Sequence, residues 1–183
     1  AVLSLFGLEA KRILQRKVAR NNMTVDVKDL YEEISADEGK VLHVYLCSEL
    51  HATVGIGHKI LDTDPEKDLD IFGINWEEVP DDQYITEDRC YILFQEDVQI
   101  AISGCMKIYN NWDDLPQEVQ HILVNMCFQL GQRGLSNFKQ MGKAIEESDW
   151  GKASVEMMDS RWASQTPERA ERLKDRMLTL VSV

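Results

Sequence analysis

Residues 37–58 read DEGKVLHVYLCSELHATVGIGH, and this stretch decides how the rest of the chain is organised. Val41, His43, Tyr45 and Cys47 alternate with Leu42, Val44 and Leu46, the period of two that marks a strand. Ser48 and Glu49 predict a turn, and Ala52 to Ile56 a returning strand, where Gly55 and Gly57 permit a bend or a close approach. Upstream, Val27, Leu30, Tyr31 and Ile34 recur every three to four residues behind a candidate N-cap, Thr24. That helix is expected to end near Gly39, directly after Glu38. A carboxylate at a helix end is thus followed by a hairpin holding a thiol, a hydroxyl and three of the chain's four histidines.

Downstream the periodicity is helical. Thr86 is the cap of a long helix that buries Cys90, Leu93, Phe94, Val98, Ala101 and Cys105 on one face. Pro116 opens another, running through Val119, Ile122, Leu123 and Met126 to Gly131. Ser136 and Ser148 read as N-caps of two further helices. In QTPERAERL, Thr166 is the cap, Pro167 the first turn, and Glu168 lies beside the positive end of the helix dipole. Residues 62–85, acidic and with Pro65 and Pro80, read as loop plus a short helix. The fold class is α+β: a small antiparallel sheet near the N-terminus, then a helical body.

The charge is uneven. Residues 1–22 carry Lys11, Arg12, Arg16, Lys17 and Arg20 against Glu9, whereas the whole chain is at −12. An acidic body argues against nucleic acid, whose phosphates are held by Lys and Arg with counterion release. Leu3, Phe6, Ala10, Ile13, Leu14 and Val18 fall near one helical face, so residues 1–23 form a basic amphipathic extension to the domain at 24–183. The expectation for that extension is packing on its own domain, with contact to a partner or a membrane surface as the functional alternative. Its charges follow its apolar residues, which is not the order of a signal peptide. No apolar run is long enough for a membrane span. Cys47, Cys90, Cys105 and Cys127 show no zinc-ribbon spacing, and three lie in apolar helical patterns; all are read as reduced thiols.

Three chemistries fit the hairpin. His43, Cys47, His51 and His58 are suitable metal ligands, but their spacing matches none of the usual zinc patterns, and no metal or cofactor is expected. A Cys47 nucleophile with a His base lacks a helix N-terminus to depress the thiol and lacks the local cysteine-protease signatures. The third pairs a proton-donating carboxyl, Glu38, with a group across the bond that holds and activates water, as an inverting glycosidase requires. By spacing alone a Glu before a helix-ending Gly is more often a solvated side chain.

The spacing of Glu38, eight residues, Cys47, five residues, Thr53, followed by GIGH, resembles the catalytic segment of the phage-type lysozymes. The similarity continues through TEDRCYILFQEDV at 86–98, NMCFQLG at 125–131 and SRWASQTPERA at 160–170, in order over about residues 27–178. The resemblance implies a two-lobed lysozyme-like fold, a sheet lobe and a helical lobe joined by a long helix, with the glycan cleft between them. It implies hydrolysis of the β-1,4 bond between N-acetylmuramic acid and N-acetylglucosamine in peptidoglycan, with inversion. Glu38 takes the general-acid place, Arg169 that of its basic partner, and Thr53 with Cys47 the water-handling positions. Cleft contacts carry over to Glu49, Gln129, Arg161 and Thr166, while His58 and Asp97 match a structural ion pair.

Two features depart from the family pattern. Cys47 stands where Asp is usual, and a thiol, mostly protonated at neutral pH, predicts activity that rises with pH and is open to oxidation. The acidic surface suits delivery by tethering, through residues 1–23 to a phage tail or another carrier, in place of electrostatic attraction to an anionic wall. The competing reading is a catalytically impaired domain that binds glycan or serves as a structural module. Trp112, Trp150 and Trp162 are read as packing residues and His121 as a surface or satisfied side chain.

Overall fold

The computed structural model describes residues 25–47, 51–60 and 84–182, so the predicted N-terminal extension, Thr24, Glu49 and the acidic stretch to residue 83 lie outside the described residues. The first helix, α1, spans Val27–Glu38. Its cap is Asp26, whose carboxylate accepts from the backbone N–H of Lys28 and Asp29, a stronger N-terminal signal than the upstream threonine. Leu30 and Ile34, one turn apart, are fully buried. Gly39 ends the helix at φ 79°, and a Cβ there would meet nothing within 4 Å, so backbone conformation and not space selects glycine. The resulting bend leaves Glu38 on the last turn, directly before the hairpin.

Strands β1 (Val41–Leu46), β2 (Ala52–Gly55) and β3 (His58–Lys59) form an antiparallel sheet in chain order. Tyr45 pairs with Thr53 and Leu46 with Ala52, and the register slips between Val41 and Tyr45. This bulge breaks the simple two-face alternation that the residue pattern of β1 predicts. The third strand was not foreseen, nor was the bridge from Tyr84 to His43 on the other side of β1, with Ile85 N–H donating to Leu42 C=O at 2.8 Å.

The long helix α2 (Glu87–Ile108) starts at Thr86, whose hydroxyl accepts from Arg89 N–H, and all six predicted face residues are buried. A 3-10 turn (Trp112–Asp114) leads to α3 (Gln117–Leu135), followed by α4 (Lys139–Glu146), α5 (Trp150–Met158), α6 (Arg161–Gln165) and α7 (Pro167–Leu178). The expected break at Gly131 is a kink at φ 68°, after which α3 runs one more turn. Ser136 closes α3 instead of starting α4, and Asp149, not Ser148, caps α5 by accepting from Lys152 N–H. Thr166 sits at the predicted boundary of α7, but its hydroxyl donates backward to Trp162 C=O.

Helix α3 is the centre of the helical lobe: Val119 to Cys127 are all buried. A helix buried all round must satisfy its polar side chains internally. His121 does so by accepting the Asp26 N–H on Nε2 at 2.9 Å, which requires that nitrogen to be unprotonated. Burial first, then the cation of Arg176, pushes His121 below the ordinary histidine pKa, against the opposing pull of Glu118, Glu33 and Asp29. Because the folded value is the depressed one, the stability this residue contributes is present above about pH 6.5 and is lost as pH falls below it. His121→Gln, which retains an acceptor, is expected to flatten the acid side of a melting-temperature profile between about pH 6.5 and 5. An unchanged profile would show that His121 is not the titrating group.

Candidate active site

The catalytic positions expected from sequence come from α1 and the hairpin. Glu38 carries a side chain 24% exposed, and its Oε1 accepts from Arg169 Nη1 at 2.5 Å. Arg169, on the first turn of α7, is only 5% exposed. Its Nε donates to Asn125 Oδ1 at 2.7 Å, its Nη2 to Asn125 C=O at 2.9 Å, and Asp37 Oδ2 lies 3.3 Å from Nε. The planar, five-donor guanidinium thus holds one orientation, and with it the Glu38 carboxylate.

Behind this pair lies a set of residues that sequence reasoning missed. Asn125, fully buried on α3, donates from Nδ2 to Glu33 Oε1 at 2.8 Å and to Asp37 Oδ2 at 3.1 Å. Arg172 reaches both Asp37 oxygens at 2.8 and 2.7 Å, and Arg176 reaches Glu33 at 2.7 Å. The network ties α1, α3 and α7 together, and its compensated charges hold the turn that carries Glu38. The sequence signal was the spacing of Arg169, Arg172 and Arg176 on one face of α7, matched by Glu33 and Asp37 one turn apart on α1.

On the sheet, Thr53 is 2% exposed and its hydroxyl donates to His51 C=O at 3.0 Å, leaving oxygen lone pairs to accept. Cys47, half-buried and outside any disulfide, follows β1, and its N–H donates to the same His51 carbonyl at 2.9 Å. One backbone oxygen therefore links the two positions. Tyr45, directly across from Thr53, has its phenol pKa pushed up by burial first, then by Cys47 and Glu38, which puts both groups within electrostatic reach of one ring.

Of the other predicted contact residues, the described ones lie on α3, at the start of α6 and at the junction of α6 with α7. Gln129 on α3 is exposed, and its Oε1 accepts from Trp162 Nε1 at 2.7 Å, which fixes Trp162 as a packed residue. Arg161, exposed at the start of α6, borders a cavity of about 500 Å³ with Phe138 and Trp162. Thr166 is half-buried, with its hydroxyl donated to Trp162 C=O. Among the described residues no group of His, Cys, Asp and Glu is arranged to hold a metal ion.

His58 Nδ1 lies 2.8 Å from Asp97 Oδ2, joining β3 to α2. The hydrogen bond to Asp97 raises the His58 pKa, more than burial lowers it. A raised folded value gives stability that is full below about pH 6.5 and is lost as pH rises through the folded pKa, the opposite sense to His121. Asp97→Asn is expected to cost about 2 kcal/mol at pH 5 in denaturant unfolding, and measurably less at about pH 8. An equal loss at both values would assign the effect to packing.

An α+β protein with a clamped carboxylate at a helix end, followed by a hairpin that carries a thiol and a hydroxyl, has the layout of a lysozyme. Residues 35–178 match the Phage lysozyme family, and the chain belongs to it, a glycoside hydrolase of the lysozyme class. It is 33% identical over 162 residues to the Probable T4-type lysozyme 2 of Dictyostelium discoideum, covering 80% of this chain and 92% of that protein. Probable T4-type lysozyme 1 of the same organism is 30% identical over 164 residues, covering 82% and 92%. The Pre-baseplate central spike protein Gp5 of Enterobacteria phage T4 is 32% identical over 157 residues; these are 81% of this chain and 27% of Gp5, a much longer protein.

Proposed function

We propose that this chain is a muramidase that cleaves the β-1,4 bond between N-acetylmuramic acid and N-acetylglucosamine in peptidoglycan, with inversion at the anomeric carbon. Glu38 protonates the departing glycosidic oxygen as the general acid. Cys47, as thiolate, takes a proton from the attacking water on the opposite face, and the Thr53 hydroxyl accepts from that water and orients it. Glu49, Gln129, Arg161 and Thr166 contact the glycan, and Arg169 positions the acid. The observation that supports this most directly is the Glu38 carboxylate held by a buried Arg169 at the end of α1.

Residues 24–183 form the catalytic domain and residues 1–23 an extension that docks it on a carrier. The likeness to a phage spike protein favours a tail or other virion component as that carrier. The enzyme is then made in a host cytoplasm and acts on the periplasmic wall.

The test is digestion of purified peptidoglycan under reducing conditions across about pH 5–9. New N-acetylmuramic acid reducing ends are expected, with a yield that rises through neutral pH in step with the thiolate fraction, which grows about tenfold per unit below a thiol pKa of about 8.5. A Cys47→Asp variant is expected to lose this rise. No products at any pH would overturn the enzyme reading, and a pH-independent rate would overturn the role of the thiolate.

A further inference from the structure

Arg169 stands between two acidic side chains, and only one of them belongs to the proposed chemistry. Glu38 Oε1 lies 2.5 Å from its Nη1, and Asp37 Oδ2 lies 3.3 Å from its Nε. These carboxylates are consecutive on the last turn of α1 and compete for one cation. Asp37 is the more desolvated, its side chain 7% exposed against 24% for Glu38, so the less screened attraction favours the wrong partner. A guanidinium offers a carboxylate two forked edges, Nε with Nη2 or Nη1 with Nη2. A forked hold of Asp37 on the first edge would turn the guanidinium away from Glu38.

That edge is already filled. Asn125 Oδ1 accepts from Nε at 2.7 Å and Asn125 C=O accepts from Nη2 at 2.9 Å, both nearer than Asp37. The other end of the same amide, Nδ2, donates to Asp37 Oδ2 at 3.1 Å and to Glu33 Oε1 at 2.8 Å. Arg172 holds Asp37 from the far side. Asn125 is at 0% exposure, so its partners alone fix which end of the amide points where. The reverse orientation would set NH2 against guanidinium and oxygen against two carboxylates. A carboxylate or an apolar group of the same size could not serve both sides.

We infer that Asn125 is a positioning residue for the general acid: its two neutral oxygens occupy the Nε–Nη2 edge of Arg169, keep Asp37 off that edge, and leave Nη1 to Glu38. Its catalytic consequence rests on the muramidase reading; the choice of carboxylate by Arg169 does not. Without the Asn125 amide, Asp37 takes Nε, and Glu38 loses its fixed orientation although both members of the ion pair remain.

The test is a double-mutant cycle of Asn125→Ala and Asp37→Asn in the full chain, read as kcat and KM for the release of reducing ends from solubilised peptidoglycan. All four proteins are assayed at a temperature where circular dichroism shows them folded. Asn125→Ala alone is expected to lower kcat by about 10²-fold, the cost of displacing a reacting group by about an ångström, with KM within about twofold of the parent. With the competing carboxylate removed by Asp37→Asn, the same alanine is expected to lower kcat by less than about threefold. A merely structural role gives the opposite result, with the losses accumulating and the double variant slowest. An equal fall in both backgrounds, or a change carried by KM, would overturn the inference. Should Asn125→Ala fail to fold, Asn125→Ser takes its place in the cycle. A crystal structure of the Asn125 variant reads the geometry without activity: Arg169 Nε is expected at hydrogen-bond distance from Asp37, with Nη1 withdrawn from Glu38. A guanidinium still seated on Glu38 would overturn the assignment. A parent chain that releases no reducing ends would overturn the muramidase reading and the catalytic role with it, while the variant's structure still decides which carboxylate Arg169 takes.

Discussion

Glu38→Gln is expected to lower the release of reducing ends from peptidoglycan by about 10³-fold, within the range a positioned general acid contributes. The amide cannot donate a proton to a departing glycosidic oxygen at any useful rate, yet it retains an oxygen where Arg169 Nη1 now reaches Glu38 Oε1 at 2.5 Å. What is lost structurally is the charge on one hydrogen bond of a side chain that is 24% exposed, about 1 kcal/mol after screening. A large fall in rate with a melting temperature close to the parent therefore separates chemistry from folding. A variant retaining more than about a tenth of the activity would remove Glu38 from the acid role.

The second large effect is on stability. Arg169→Leu is expected to destabilise the fold by about 3–5 kcal/mol in denaturant unfolding, the cost of removing one partner from a buried ion pair. The leucine abandons Asp37, only 7% exposed, leaves Asn125 Oδ1 without its donor and removes the second donor to Asn125 C=O in the centre of the helical lobe. Arg172 still reaches Asp37, which limits the penalty to that carboxylate, but nothing replaces the contact to Glu38. Arg169→Lys keeps the charge and loses the fork, since a single ammonium cannot address Glu38 and Asn125 in the same plane. It is expected to recover part of the stability and little of the activity. Equal stability of all three proteins in a urea titration would show that the network carries no net energy.

Much of the architecture was legible in local sequence. The apolar face of α2, the Thr86 cap, the Pro167 start of α7 and the turn at Gly39 are each read from residues within a turn or two of one another, because propensity, capping and periodicity act over that range. Where several short polar residues compete, local reading went astray. Asp149 caps α5 next to Ser148, and Ser136 closes a helix instead of opening one.

The resemblance also supplied the pairing of Glu38 with Arg169, which lie 131 positions apart. Periodicity supplied neither that pairing nor its support. Which carboxylates meet Arg172 and Arg176, and why Asn125 sits in a nonpolar helix, depend on how α1, α3 and α7 pack. Sequence by itself determined the elements, their buried faces and the order of the site residues, because these follow from short-range backbone and side-chain preferences. Tertiary structure alone decided which charges are neighbours. Electrostatic contacts act over a few ångströms in space, and only packing brings residues so distant along the chain that close.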